Sequence, residues 1–195
     1  MDQRGGMMNK ELLTGKEKVL LLQGAREAIR AKLERRTPVF PDGFSSVTYT
    51  YGAFVTLHKH GNLRGCIGHM TGDAPLHATI AEMAVAAAFE DPRFPPLRVQ
   101  EFSDCDIEIS VLSPMEPCKP ADIIPGTHGA YLICAGRAGV FLPQVATEQG
   151  WERETFLEHL CYKAGLPAGS HERSDARLFS FTAIVFGEKE YKLIP

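Results

Sequence analysis

Within the twelve residues His58-Lys59-His60-Gly61-Asn62-Leu63-Arg64-Gly65-Cys66-Ile67-Gly68-His69 the chain gathers three histidines, an arginine and a thiol. A cysteine reacts as its thiolate, and a cation beside it favours that form over the thiol. In extended backbone, side chains alternate between faces, so Arg64, Cys66 and Gly68 share one face and Leu63, Gly65 and Ile67 the other. The thiol thus sits with the one charged group of its strand face. Glycines on either side of it leave room for a ligand or a second backbone to approach closely. This makes Cys66 the candidate nucleophile, with Arg64, Gly65, Gly68 and His69 as candidate ligand-binding residues. The competing reading is that Cys66 packs as a small hydrophobe, the usual fate of a free cysteine. A metal centre would recruit His58, His60, Cys66 and His69, but His-x-His followed by Cys-x-x-His matches no zinc-site spacing. No metal and no other cofactor is expected.

A second segment, Asp91-Pro92-Arg93-Phe94-Pro95-Pro96-Leu97, offers one carboxylate and one guanidinium on a stiff, turn-rich stretch. Arginine presents a planar fork of donors, so Asp91, Arg93 and Phe94 join the candidate ligand-binding residues as an anion clamp. The alternative is that the charged pair only fixes its own loop. Glu108, Glu148 and His159 are acid or base types, yet nothing in the sequence places them beside Cys66. Glycine-rich phosphate loops, dinucleotide fingerprints and Gly-x-Ser-x-Gly elbows are absent.

Several elements must position these groups. Thr14-Gly15-Lys16-Glu17 has capping-box spacing and starts a helix, whose stripe Val19, Leu22, Ile29 and Leu33 runs until Thr37-Pro38 stops it. Residues 47–58 are rich in β-branched and aromatic types, and turn chemistry at 59–62 folds them into a hairpin with the Cys66 segment. Asp73 and Pro75 open an alanine-rich helix that Asp91-Pro92 ends. Residues 105–112 alternate as a strand with one wet face. Residues 129–134 and 138–142 make a second hairpin around Ala135-Gly136-Arg137; a helix over 151–163 and a closing strand over 179–191 follow.

Laying Gly52-Ala53-Phe54-Val55 over Gly129-Ala130-Tyr131-Leu132 also lays Thr79 on Phe156 and Cys66 on Pro143. A hairpin followed by a helix therefore occurs twice, which suggests an internal duplication. The expected fold is α+β: a curved, mostly antiparallel sheet built from two hairpin-and-helix units, with helices packed outside and a cleft where the halves meet. The expected organisation is a flexible segment 1–13 and a single domain 14–195 with halves at about 47–112 and 124–191.

Composition bounds the rest. With 44% hydrophobic and 23% charged residues the chain falls in the globular range, and a net charge of −3 creates no field that draws nucleic acid or anionic membrane. The basic run Arg26, Arg30, Lys32, Arg35 and Arg36 spreads around a helix rather than lining a groove. There is no apolar stretch of signal-peptide or membrane-span type. Five scattered cysteines, Cys66, Cys105, Cys118, Cys134 and Cys161, contain no Cys-x-x-Cys pair and suit a reducing compartment, so a cytoplasmic location is expected.

Taken together, Leu63-Arg64-Gly65-Cys66-Ile67-Gly68, the 91–97 segment, Ile-Glu-Ile-Ser-Val-Leu at 107–112, Gly-Val-Phe-Leu-Pro-Gln-Val-Ala at 139–146, Trp151 and Lys-Ala-Gly-Leu at 163–166 make the chain resemble the AMMECR-one family over about 14–191. The resemblance implies an α+β fold whose two related β-rich halves form one curved sheet. It implies no established reaction. It does imply a link to partner proteins of radical-SAM or Memo type, and a nucleic-acid-modification role has been proposed for such proteins. The functional expectation is a cleft around the hexapeptide that binds a small anionic ligand or a peptide, with Cys66 as nucleophile. Against it stands a non-catalytic adaptor that docks onto a radical-SAM or Memo-type enzyme, or an accessory to nucleic-acid modification.

Overall fold

The computed structural model describes residues 12–194. Helix α1 (Gly15–Leu33) starts on the expected capping box, in which Glu17 N–H donates to Thr14 Oγ1 and Thr14 N–H to Glu17 Oε2. Its buried stripe is Leu21, Leu22, Ala25, Ala28 and Ile29, whereas Val19 and Leu33 are half-buried. Small residues allow close packing on that face. Gly24 is the extreme case, because a Cβ there would lie 2.1 Å from the Phe44 ring.

Strands β1 (Ala53–Lys59) and β2 (Asn62–His69) form the first hairpin, closed by His60 and Gly61 at φ 52° and 81°. Positive φ at both positions marks a two-residue turn of type I′, whose twist suits a hairpin. The ladder pairs Val55 with Ile67, Thr56 with Cys66 and Leu57 with Gly65, after a register shift between Leu57 and His58. Helix α2 (Leu76–Phe89) packs on this hairpin, followed by the short α3 (Val99–Phe102) and by β3 (Cys105–Leu112). Next come β4 (Glu116–Pro117), β5 (Gly129–Cys134), β6 (Arg137–Phe141), α4 (Pro143–Gln149), α5 (Arg153–Lys163), β7 (Arg177–Phe181) and β8 (Ala183–Gly187).

The class is α+β, as expected, but the strands divide between two four-stranded sheets, β2-β1-β3-β8 and β4-β7-β5-β6, where one curved sheet was expected. The division is made by the closing strand over 179–191. It breaks at Thr182 into β7, which pairs with β4 and β5, and β8, which joins β3. Helix α4 was not foreseen, since its seven residues are too few for a readable apolar period. Of the segment 1–13, residues 1–11 lie outside the described residues, and Leu13 is buried. Among the described residues no helix is long and apolar enough to cross a membrane.

Two compact units result, one from residues up to Ile109 together with Val185 onward, the other from Ser110–Ile184. In the first, Leu22, Ile29, Val55, Leu57, Leu76, Ile80, Ile107 and Ile109 are fully buried. Glu188, 1% exposed, is neutralised by Arg26 and accepts Ile107 N–H at 2.8 Å, so the arginine-rich face of α1 is partly spent inside the unit. In the second, Leu132, Phe156, Leu157, Leu160 and Leu178 form the core.

Each unit contains a hairpin and a helix, and each has a glycine on the hairpin's second strand pressed against helix backbone. A Cβ on Gly65 would lie 2.1 Å from Ala87 O in α2, and one on Gly139 would lie 3.0 Å from Leu160 O of α5 and 2.8 Å from Ala164 N, just beyond it. Matching these glycines sets Cys66 against Val140 rather than Pro143.

Gly65→Ala is expected to lower stability by about 3 kcal/mol, the upper range for overpacking, because the obstacle is backbone that cannot rotate away. Gly15→Ala, with nothing within 4 Å of its Cβ, is expected to change stability by less than about 0.5 kcal/mol. Urea midpoints of the two variants measure both, and equal midpoints would refute the close approach.

Candidate functional site

Strand β2 is an edge strand, and the main-chain polar groups of Cys66 point off the sheet. Cys66 N–H donates to Asp91 Oδ2 at 2.9 Å, and Cys66 C=O accepts from Arg93 Nη2 at 3.3 Å. Two side chains therefore occupy the place of a missing neighbouring strand. Asp91 also binds its partner twice through the side chain, Arg93 Nε to Oδ1 at 2.9 Å and Nη2 to Oδ2 at 2.7 Å.

Local sequence explains the geometry. Phe94 N–H donates to Asp91 C=O at 3.1 Å, closing a four-residue turn with Pro92 at its second position, where fixed φ suits it. Asp91 Oδ1 accepts Arg93 N–H at 3.1 Å, the Asx turn that aspartate favours at such a start. The Asp91 side chain is only 2% exposed, yet its carboxyl is held well below the usual carboxylate range. The Arg93 side-chain bond contributes most to this; burial works against it, and the N–H groups of Cys66 and Arg93 add to it.

Arg64 is also engaged. It is 8% exposed and donates through Nη2 to Pro95 C=O at 2.8 Å and to Glu101 Oε1 at 2.6 Å. Glu101 further accepts from Lys59 Nζ at 3.2 Å and from Arg98 N–H at 3.1 Å, the latter securing the start of α3. Arg64 above all, opposed by partial burial, pulls the Glu101 carboxyl down to about 2. The Phe94 ring lies 5.9 Å from the Arg64 guanidinium and 5.5 Å from that of Arg93.

The Cys66 thiol is half-buried, and its Sγ accepts from Thr56 Oγ1 at 3.3 Å across the hairpin. Gly68 accommodates the Phe54 ring, since a Cβ would lie 2.5 Å from it. Strand alternation places His69 on the opposite face from Cys66, where it lines a hollow of about 500 Å³ with Ile67, Glu82, Met83 and Glu90. The structure thus brings Gly65, Cys66, Asp91 and Arg93 together, links Arg64 to Phe94, and separates His69 from the thiol. His58 and His60 face Asp106 and Asp104 at 3.9 Å and 4.0 Å, and no metal-binding group of three forms among the described residues. His159, in the other unit, stacks on Trp151 at 4.0 Å.

Thr56, Lys59 and Glu101 join the site without having been singled out in the sequence. The turn at His60-Gly61 announces that β1 and β2 pair, but simple counting outward sets Thr56 against Gly65. Only the register shift at Leu57/His58 brings it to Cys66.

A family profile described as AMMECR1 matches residues 22–186. A protein of Methanothermobacter thermautotrophicus is 46% identical over 144 residues, covering 70% of this chain and 75% of the relative. A protein of Methanopyrus kandleri is 38% identical over 196 residues, covering 92% of each. The crystal structure of an uncharacterized protein from Pyrococcus horikoshii superimposes with a TM-score of 0.82 at 34% identity, covering 94% of this chain and 96% of that one.

Asp91→Ala is expected to cost about 1–3 kcal/mol, because it strands the Cys66 N–H and removes the partner of Arg93. Asp91 and Glu101 carry depressed pKa values, so the unfolded chain binds more protons in acid. Their stabilisation is complete above roughly pH 5 and is lost as pH falls through about 4 towards 2. Thermal melts from pH 7 to pH 2 should therefore show a shallower acid loss for Asp91→Asn than for the parent chain. Identical slopes would mean that this carboxylate contributes nothing.

Proposed function

Since the chain belongs to the AMMECR1 family, we propose that its function centres on the edge of β2, where Cys66 serves as a thiol nucleophile towards a small anionic molecule or an acidic peptide segment held by Arg93. The observation that carries this reading is what remains after structural uses are subtracted. Gly65 is required by α2, Gly68 by Phe54, and Arg64 and Asp91 are occupied by Glu101, Pro95, Arg93 and main chain.

Two groups keep unused chemistry. Cys66 presents a sulfur oriented by Thr56, and the Arg93 side chain is 54% exposed, with Nη1 making no hydrogen bond among the described residues. Arg93 is held by Asp91 and by Cys66 C=O, so a bound anion would meet a fixed cation at little cost in side-chain freedom. The thiolate would then add to a carbonyl carbon of that ligand, the S–C bond forming as the C=O π pair moves onto the carbonyl oxygen, the thiol proton having passed to solvent.

The remaining thiols make the reading testable. Burial pushes the Cys105, Cys118 and Cys161 thiols up from their ordinary value, and Cys134 is 1% exposed. Iodoacetamide at neutral pH, followed by peptide mapping, is expected to label Cys66 at least about tenfold faster than any other cysteine, because burial raises the pKa of three of the others and shields Cys134. A rate equal to that of the buried thiols would remove the nucleophile.

The adaptor reading rests on a different observation: Leu63, at the start of the same strand, is 41% exposed and adjoins Arg64, whose charge is already spent. On that reading a partner enzyme of radical-SAM or Memo type docks on the β2 edge. Affinity purification separates the two: a stoichiometric partner retained by Cys66→Ser but lost with Leu63→Asp supports docking, and loss with neither substitution excludes it.

A further inference from the structure

Away from Cys66, the loop 40–45 and the first turns of α2 enclose a cleft of about 610 Å³, the size of a small-molecule site, within the first unit. We infer that this cleft binds a planar aromatic molecule bearing hydrogen-bond donors, of the protonated amino-heteroaromatic class, independently of the Cys66 site.

The walls supply the aromatic half of the argument. Phe40 stacks on Phe44 with centroids 4.6 Å apart, and the His77 ring meets Phe44 edge-on at 5.5 Å. Phe44 is immobilised from below, because its ring fills the space that any side chain at Gly24 would need. Phe40 is 37% exposed, so an apolar ring face is presented to the cleft mouth over a rigid base. Ala78 and Ala81 keep the helix side shallow enough to admit a flat ligand.

The polar groups supply the other half. Val47 C=O lies 3.1 Å from His77 Nδ1 and also accepts His77 N–H at 3.2 Å. A carbonyl can only accept, so in the neutral ring the proton sits on Nδ1 and Nε2 is left as an acceptor. Asp42 also lines the cleft and has no cationic partner among the described residues. The start of α2 offers an anion little, because Leu76 N–H is taken by Tyr49 C=O at 2.7 Å and His77 N–H by Val47. Ser45 is the one side chain of the cleft with an ordinary hydroxyl donor. Aromatic walls with acceptors at their rim complement a flat ring that carries N–H groups and positive charge.

The test titrates 2-aminobenzimidazole into the full chain and follows backbone amide chemical shifts, with benzoate as an anionic ring of similar shape. Saturable shifts confined to residues 40–45 and 77–81 are expected. Asp42→Asn should weaken binding about tenfold, the loss expected for one charge-assisted contact. Ala81→Phe, which fills the cleft from the helix side, should abolish binding while leaving the remaining spectrum and the melting temperature in place. If Ala81→Phe unfolds the chain, Ala78→Leu serves as the filling variant. Absence of saturable shifts, shifts that survive filling, or benzoate binding as tightly as the amine would each overturn the assignment.

Discussion

An edge strand with no neighbour leaves alternate N–H and C=O groups facing outward, and at Cys66 both are claimed by side chains from one short turn. Asp91 takes the N–H and Arg93 gives to the C=O, while the two bind each other. Burying a carboxylate is costly unless its oxygens are filled, and here donors from Cys66 N–H, Arg93 N–H and the Arg93 guanidinium fill them. Lysine could not replace Arg93, because only a planar fork can hold a carboxylate with two nitrogens and still reach a carbonyl. The clamp also blunts the edge against pairing with other chains.

The inner face of the same strand is governed by a different constraint. Gly65 lets β2 approach α2 until its Cα almost touches helix backbone, as Gly139 does against α5 in the second unit. With one face pressed on a helix and one edge held by the clamp, the main chain at Cys66 has little freedom. Most of the hexapeptide's unusual composition follows from these contacts. Its thiol and the exposed Leu63 are left unexplained by them, and of the two only the thiol is reactive, which is the ground of the proposed chemistry.

Sequence patterns foretold the elements whose causes are local. The capping box at Thr14, the turn at His60-Gly61, the alanine-rich α2 and the alternation of β3 all depend on neighbours a few residues away. The division of residues 177–187 between two sheets was not legible, because which strand each half joins is decided by partners distant in sequence. The same limit applied to the site. Asp91 and Arg93 stood out as a charged pair, read as an anion clamp or as a pair that only fixes its own loop, but what they also grip is the main chain of Cys66, which carries no residue identity to read. Alternation alone sets Arg64 on the Cys66 face, but Arg64 is the unpaired residue at the register shift, and its charge goes to Glu101, a carboxylate on α3 that periodicity did not reveal.

The clamp also limits how anything can be recognised at this edge. An extended peptide adding as a fifth strand beside Cys66 would have to displace Asp91 and Arg93, giving up charge-assisted bonds worth about 1.5–3 kcal/mol each. It would regain only ordinary ladder bonds of about 0.5–1.5 kcal/mol. Strand addition at Cys66 therefore loses to the intramolecular pairing already in place. Recognition is left to side chains that stand away from α2: the Thr56–Cys66 pair, the Phe54 ring over Gly68, and the outer half of the Arg93 guanidinium. On the proposed function, such a surface would suit a compact group with an anionic end better than a length of backbone, whether the group belonged to a free molecule or to the tip of a partner's loop.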